Sequence, residues 1–381
     1  MDEKKATLAL IRSLFRKYYR DAKIMPPPKL EQREFAFIPF DAKGMIRHIS
    51  FNDAADLKNY ILSNIPRHVY YSSSYYENPA AERMDEKGWL GADLIFDIDV
   101  DHIDTPCKVF HDRWHCRECG ASGWGFVTSC PKCGSERISR DTWVCRTCIN
   151  VAKDELIKLI EFLESDFGIS RKEMYAVFSG HRGFHLHVEN KAVIDLDQDA
   201  RREIADYVRG VGIDPPLFLK KIKKKFVFKY DILTPGWPGR IARYLLFKYG
   251  ENDPDFSLEK LRFSLDRWKK IINDAIDSEK VVIDEKVTID IKRLIRLPQS
   301  LHGKTGLKVL KIDIHELEEI DVIEKSKVFT QGDVIVSASY VPRRILNHEF
   351  SENINSSNLR VPLYLGIYLA LNGDTVIKGF V

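Results

Sequence analysis

Asp93-Leu-Ile-Phe-Asp-Ile-Asp-Val-Asp101 alternates apolar and acidic residues along its second half. Side chains of a strand point alternately to opposite faces, so Phe96, Ile98 and Val100 share one face and Asp97, Asp99 and Asp101 the other. Carboxylates crowded in this way repel one another unless positive charge sits among them, and an oxygen-rich site suits Mg²⁺ or Mn²⁺. Acids two residues apart can bridge paired cations at the ~3.5–4 Å spacing used in phosphoryl transfer. The plain alternative is a strand with a solvated acidic face, a poor choice because Asp is disfavoured in strands. Asp101 is the weakest member of the three, because the chain turns at His102 toward a cysteine-bearing segment.

Downstream of that segment, Ala152 to Phe167 carries Leu156, Leu159, Ile160 and Leu163 on one helical stripe. Met174–Phe178 and Phe184–Val188 read as two strands joined by the turn Ser179-Gly-His-Arg-Gly183. Gly180 and Gly183 permit close backbone approach to a ligand, and Arg182 offers a fork of donors suited to phosphate. His185 and His187 share a strand face and could donate to phosphate oxygens. A zinc pair, or a hairpin whose Arg182 meets an acid, are the competing readings. Arg296-Leu-Pro-Gln-Ser-Leu-His-Gly-Lys-Thr-Gly306 places Arg296, His302 and Lys304 on a second loop suited either to an anion or to solvent. Acids and phosphate donors in one chain are what a triphosphate with its metal ions needs.

A third metal carboxylate is expected at Asp284, on a strand-like Val281–Ile283. Its competitor Asp290 has a structural explanation, in the first turn of a helix capped by Thr288 and running to Arg296. The other expected elements are an opening amphipathic helix before Pro26-Pro27-Pro28, a strand at Phe35–Phe40 and a loop at Tyr70–Glu82. Residues 197–280 read as mostly helical, and strands are expected at Val334–Val341 and Val361–Ala370. The mixture gives an α+β core with two insertions.

All seven cysteines lie between residues 107 and 148. Cys116-Arg-Glu-Cys119 and Cys130-Pro-Lys-Cys133 have zinc-ribbon spacing, which predicts a closed structural site. Cys107, Cys145 and Cys148 remain. With His111 they make a second set of four; His115 could replace His111, or Cys107 could be free. Neither set leaves an open position for catalysis.

The chain has 381 residues, of which 44% are apolar and 30% charged, with a formal net charge of +3. That charge is too small to argue for a nucleic-acid partner on its own. The longest apolar stretch, Val361–Leu371, falls short of the ~20 residues that span a bilayer, so a cytoplasmic protein with no membrane partner is expected.

With these residues in view, the chain resembles the archaeal DNA primase small catalytic subunit, of the archaeo-eukaryotic primase family. The resemblance runs through Arg33-Glu-Phe35, Arg47-His-Ile-Ser-Phe51, His68–Tyr76, Lys87-Gly-Trp89, Asp93–His102, Ser179–His187, Leu297–Gly306 and Val361–Gly373. It implies catalytic carboxylates at Asp97, Asp99 and Asp284. It also implies nucleotide contacts at Ser179, Arg182, His185 and His302, with Arg296 and Lys304 close by. A mixed-sheet core at 1–103 and 150–381 would carry a zinc-binding insertion at 104–149 and a helical subdomain at 200–280. The expected activity is template-directed primer synthesis from nucleoside triphosphates on single-stranded DNA, with catalytic Mg²⁺ or Mn²⁺, structural Zn²⁺ and a large primase subunit as partner in a heterodimer. Lys220, Lys221, Lys223, Lys224, Lys225 and Lys229, interleaved with Phe226 and Phe228, could follow the template by charge and stacking, or form a solvated basic surface. A related repair polymerase, a two-metal nuclease and a non-catalytic zinc-ribbon nucleic-acid binder are the rivals.

Overall fold

Two antiparallel four-stranded sheets flank the cleft in the computed structural model, which describes residues 3–41, 44–250 and 256–381. The first sheet runs Leu310–Asp313, Met174–Phe178, Gly183–Val188, Leu94–Asp99 in spatial order. Its edge is the carboxylate strand, where Phe96 and Ile98 are buried while Asp97 and Asp99 are half-buried on the opposite face. The antiparallel register sets His185 opposite Asp97 and Gly183 opposite Asp99. Only glycine fits there, because a Cβ on Gly183 would lie 2.1 Å from the Ile98 carbonyl oxygen.

The helix Arg146–Phe167 packs its Leu156, Leu159, Ile160 and Leu163 stripe beneath this sheet. It begins well before the expected Ala152, because Cys145 caps it, its sulfur accepting from the Cys148 N–H at 3.4 Å. The second sheet runs Leu294–Arg296, His68–Ser72, Phe35–Ile38, Ile46–Ile49. The first half of the loop expected at Tyr70–Glu82 is therefore strand: His68–Ser72 is followed by Ser74–Tyr76, with Tyr71, Tyr75 and Tyr76 buried. Its serines turn inward, where Ser72 Oγ donates to the Ser74 carbonyl at 2.7 Å.

Three further expectations change. Val281–Ile283 is extended but unpaired as a strand, held by the Val281 N–H to Val208 O at 3.0 Å and the Asp284 N–H to Asp97 O at 2.9 Å. The following helix is Glu285–Ile289, so Thr288 lies buried inside it instead of capping it, and Leu294–Arg296 is strand. Val361–Ala370 divides at Pro362 into the end of strand Ile354–Pro362 and the helix Leu363–Asn372. That helix is buried on nearly every side, so its sequence shows neither the strand period nor the helix period.

The basic run lies within the expected helical subdomain as a hairpin, Leu219–Ile222 with Lys225–Phe228, beside the helices Trp237–Gly250 and Leu265–Glu279. Phe228 is buried against Trp268, and Phe226 packs half-buried on the same core. Neither ring is free to stack on a base, so the interleaved charge-and-stacking surface reduces to charge alone. The opening helix Glu3–Asp21 reaches across the chain: Tyr19 Oη accepts from the Leu301 N–H at 3.1 Å, and Tyr18 Oη donates to the Gln299 carbonyl at 2.8 Å. Among the described residues no helix is long and apolar enough to cross a membrane.

Candidate active site

Between the sheets lies a polar cavity of about 170 Å³. Asp97, Asp99, Ser179, His181, His185 and His302 line it from one side, and Tyr70, Arg293 and Arg296 from the other. Burial, followed by the charges of Asp99 and Asp284, pushes Asp97 up to about 7. Asp99 is also raised, by burial first and then by Asp101. Two adjacent acids that resist ionisation when bare are a donor set fitted to a hard cation.

Asp101 departs from the face expected for it. The strand ends at Asp99, and Val100–His102 forms a single tight turn in which Asp99 Oδ1 accepts from the Asp101 N–H at 2.8 Å. The Asp101 carboxylate turns away to Arg182 Nε at 3.1 Å. Asp284 stands beside the carboxylate strand through its backbone, and its charge is felt at Asp97. Its side chain caps the helix Glu285–Ile289, with Oδ1 accepting from the Lys286 N–H at 3.1 Å, and does not line the cavity. The helix-end explanation expected for Asp290, in the first turn of a helix capped by Thr288, thus gives way to one for Asp284, which is itself the cap. Asp290 stands at the far end of that helix and accepts from the Lys292 N–H.

The histidines are held neutral. His185 Nε2 lies 3.6 Å from Asp97 Oδ1, yet burial and then Arg296 and Arg293 push its pKa down to about 3. His181 and His302, stacked with ring centroids 4.9 Å apart, are driven well below the ordinary value, by burial first. His68, lowered to about 2 by burial and then by Arg296, accepts at Nδ1 from Arg296 Nη1 at 2.7 Å and from the Gly303 N–H at 3.3 Å. One imidazole therefore positions both the guanidinium and the loop that follows it. Neutral rings here keep an N–H for an anion without adding repulsion to the neighbouring arginines.

Arg182 does not reach the cavity, and the phosphate-clamping role expected of it does not fit this geometry. It is fully buried, with Nη1 and Nη2 at 3.0 and 2.8 Å from the two oxygens of Asp112. Asp101 stands 3.1 Å from Nε as an ion pair without a hydrogen bond, so carboxylates flank the guanidinium on both edges. Lys304 is exposed and lies outside the cavity that His302 lines. Ser179 does line it, its Oγ accepting from the His181 N–H at 3.3 Å. Tyr70, Arg293, His181 and His68 were not among the expected site residues. The alternation His68-Val-Tyr70 on a strand was the available signal for two of them.

The cysteines converge as their spacing predicts. Cys107, His111, Cys145 and Cys148 form one group and Cys116, Cys119, Cys130 and Cys133 another, each with ligand atoms within 4.8 Å of one another. Sulfur separations of 3.3 Å for Cys107–Cys148 and 3.6 Å for Cys116–Cys133 and Cys119–Cys130 exceed a disulfide bond. Thiolates 2.3 Å from a shared tetrahedral centre would stand roughly 3.8 Å apart, so both groups fit a metal such as zinc. His111 presents Nε2 to Cys148 at 3.4 Å and Nδ1 to Asp112 at 2.7 Å, whereas His115 pairs with Asp141. Asp112 thereby joins this group to Arg182, and Arg182 joins it to the turn after Asp99. Among the described residues Asp97, Asp99 and Asp284 do not close into so tight a group.

Comparison with known proteins places the chain in a family. A family model described as DNA primase small subunit matches residues 128–313. A relative from Pyrobaculum calidifontis named DNA primase small subunit PriS is 35% identical over 364 residues, covering 95% of this chain and 97% of its own. Relatives of the same name from Archaeoglobus fulgidus (34% over 382 residues; 97% of this chain and 98% of the relative) and Saccharolobus solfataricus (35% over 378; 98% and 96%) match equally broadly. Likeness over nearly the whole chain to proteins of this one name sets aside a non-catalytic zinc-ribbon binder. The chain belongs to the DNA primase small subunit family, and it is a catalytic primase, a nucleotidyltransferase that makes DNA primers in replication.

Proposed function

We infer that the chain joins nucleotides on a single-stranded DNA template by two-metal nucleotidyl transfer in the cleft between the sheets. The observation that carries this reading is the pairing of Asp97 and Asp99, both resisting ionisation, with a wall of neutral histidines and arginines. Asp97 and Asp99, with Asp284 adjoining, would hold Mg²⁺ or Mn²⁺, which supplies activation of a 3′-hydroxyl and neutralises charge on the triphosphate. Ser179, His185 and His302 present donors to the phosphates from one sheet. Arg293 and Arg296 do so from the other, Arg296 being fixed by His68 and lying over the Tyr70 ring at 5.0 Å. The electrostatic contribution of the protein is thus built before substrate arrives.

The cysteine groups would hold zinc and stiffen the 104–149 insertion, whose own apolar core is small. Atomic emission should find two zinc equivalents per chain. Cys116→Ser/Cys119→Ser should lose one equivalent and Cys145→Ser/Cys148→Ser the other, with the second variant the less stable because its group adjoins the main core. A core at 1–103 and 150–381, a helical subdomain at 200–280, a large subunit as partner and a cytoplasmic location complete the reading. Unprimed single-stranded DNA incubated with labelled nucleotides and metal should give extended product with the wild type. Asp97→Ala/Asp99→Ala should give none, and product from both proteins would reject the assignment.

A further inference from the structure

Beside the catalytic cleft runs a second, wider groove of about 620 Å³, between the zinc-ribbon insertion and the C-terminal sheet. Arg67, Arg140 and Lys304 bring three cations to it. Two residues lining it carry a buried polar atom with no hydrogen-bond partner among the described residues: the indole N–H of Trp143, a residue only 4% exposed, and the hydroxyl of Tyr340. A buried donor without an acceptor is costly in a folded protein and marks a place where a ligand's acceptor would fit. Arg67 Nε donates to the Gly303 carbonyl at 2.9 Å, while the Gly303 N–H reaches His68, which holds Arg296 at the cleft. The loop 302–304 is therefore a shared wall, with His302 facing the cleft and Lys304 facing the groove.

We propose that this groove is the binding path for a single-stranded nucleic acid, with Arg67, Arg140 and Lys304 meeting its backbone phosphates and Trp143 and Tyr340 donating to their oxygens. Two acids on the groove select the ligand. Asp141 is paired with His115 at 3.4 Å, and Asp374 is paired with Lys4. Three cations against two acids suit diester phosphates of one charge each and oppose a free triphosphate. The lysine hairpin at 219–230 has more charge but offers no unsatisfied buried donor and no shared wall with the cleft. This inference rests on the primase reading and specifies where that enzyme's strand lies.

Fluorescence anisotropy with labelled single-stranded DNA, in metal-free buffer with the full chain, tests it apart from chemistry. Arg140→Glu should weaken DNA binding at least tenfold, and Arg140→Glu/Lys304→Glu further. The slope of log affinity against log salt should flatten by ~0.7 for each phosphate that is no longer neutralised. Trp143→Phe, which keeps the packing and removes the N–H, should weaken binding several-fold. Affinity of Arg140→Glu for a fluorescent nucleoside triphosphate should match the wild type, and Lys223→Glu/Lys224→Glu should bind DNA as the wild type does. Unchanged affinity and salt slope in Arg140→Glu/Lys304→Glu, or a loss of the same size in the hairpin variant, would overturn the groove. Groove-dependent binding by a protein that makes no primer would instead overturn the primase mechanism and leave the groove standing.

Discussion

Asp97→Asn is expected to abolish nucleotide transfer while raising the thermal midpoint of the metal-free protein above neutral pH. On the proposed two-metal reading the loss follows from removing a cation ligand, an effect of several kcal/mol or roughly 10³-fold and more in rate. The gain follows from linkage. The Asp97 pKa in the folded chain, about 7, lies above the ~3.9 of a free carboxylate, so folding favours its protonated form. The resulting destabilisation is full above about pH 7, shrinks as pH falls and is gone below ~3.9. Its ceiling is about 4 kcal/mol at 1.36 kcal/mol per unit, and repulsion shared with Asp99 together with residual solvent leaves ~1–2 kcal/mol for Asn to recover. A rise of roughly 1–3 °C in a calorimetric scan is the expected reading for a chain of 381 residues. Added Mn²⁺ should stabilise the wild type and not the variant; a fall in the midpoint of metal-free Asp97→Asn would show that the charge is not strained.

Arg182→Gln should be the most damaging single change outside the cleft. It leaves Asp112 buried beside His111 without the guanidinium that binds both its oxygens, a circumstance that costs ~3–5 kcal/mol. It also releases Asp101 and so loosens the turn that orients Asp99. Urea melts should show the loss directly, and kcat should fall with it. Were Arg182 a phosphate clamp instead, the variant would melt as the wild type does and show its defect in nucleotide KM alone. The two outcomes are readily separated.

What the sequence disclosed follows from how local each signal is. Alternation placed Asp97 and Asp99 on one face, and cysteine spacing assembled two ligand groups, because both depend on residues a few positions apart. Asp101 was misread because a strand's period says nothing about where the strand stops. Arg182 was misread because a fork of donors looks the same in sequence whether phosphate or carboxylate fills it, and Asp112 is 70 positions away. Tyr70 and Arg293 reach the cleft only through the pairing of Leu294–Arg296 with His68–Ser72, a long-range pairing that no window of sequence contains. The helix Leu363–Asn372 was taken for strand because complete burial erases periodicity.

The tyrosines of the opening helix have a consequence for the order in which the molecule is made. Tyr19 and Leu301 are 282 positions apart, so the loop bearing His302 cannot settle against its support until most of the chain has been synthesised. Contacts of such sequence separation form slowly and late. A nascent or truncated chain would thus display its cysteine groups well before it possessed a working cleft, and catalytic competence would arrive only with the final quarter of translation.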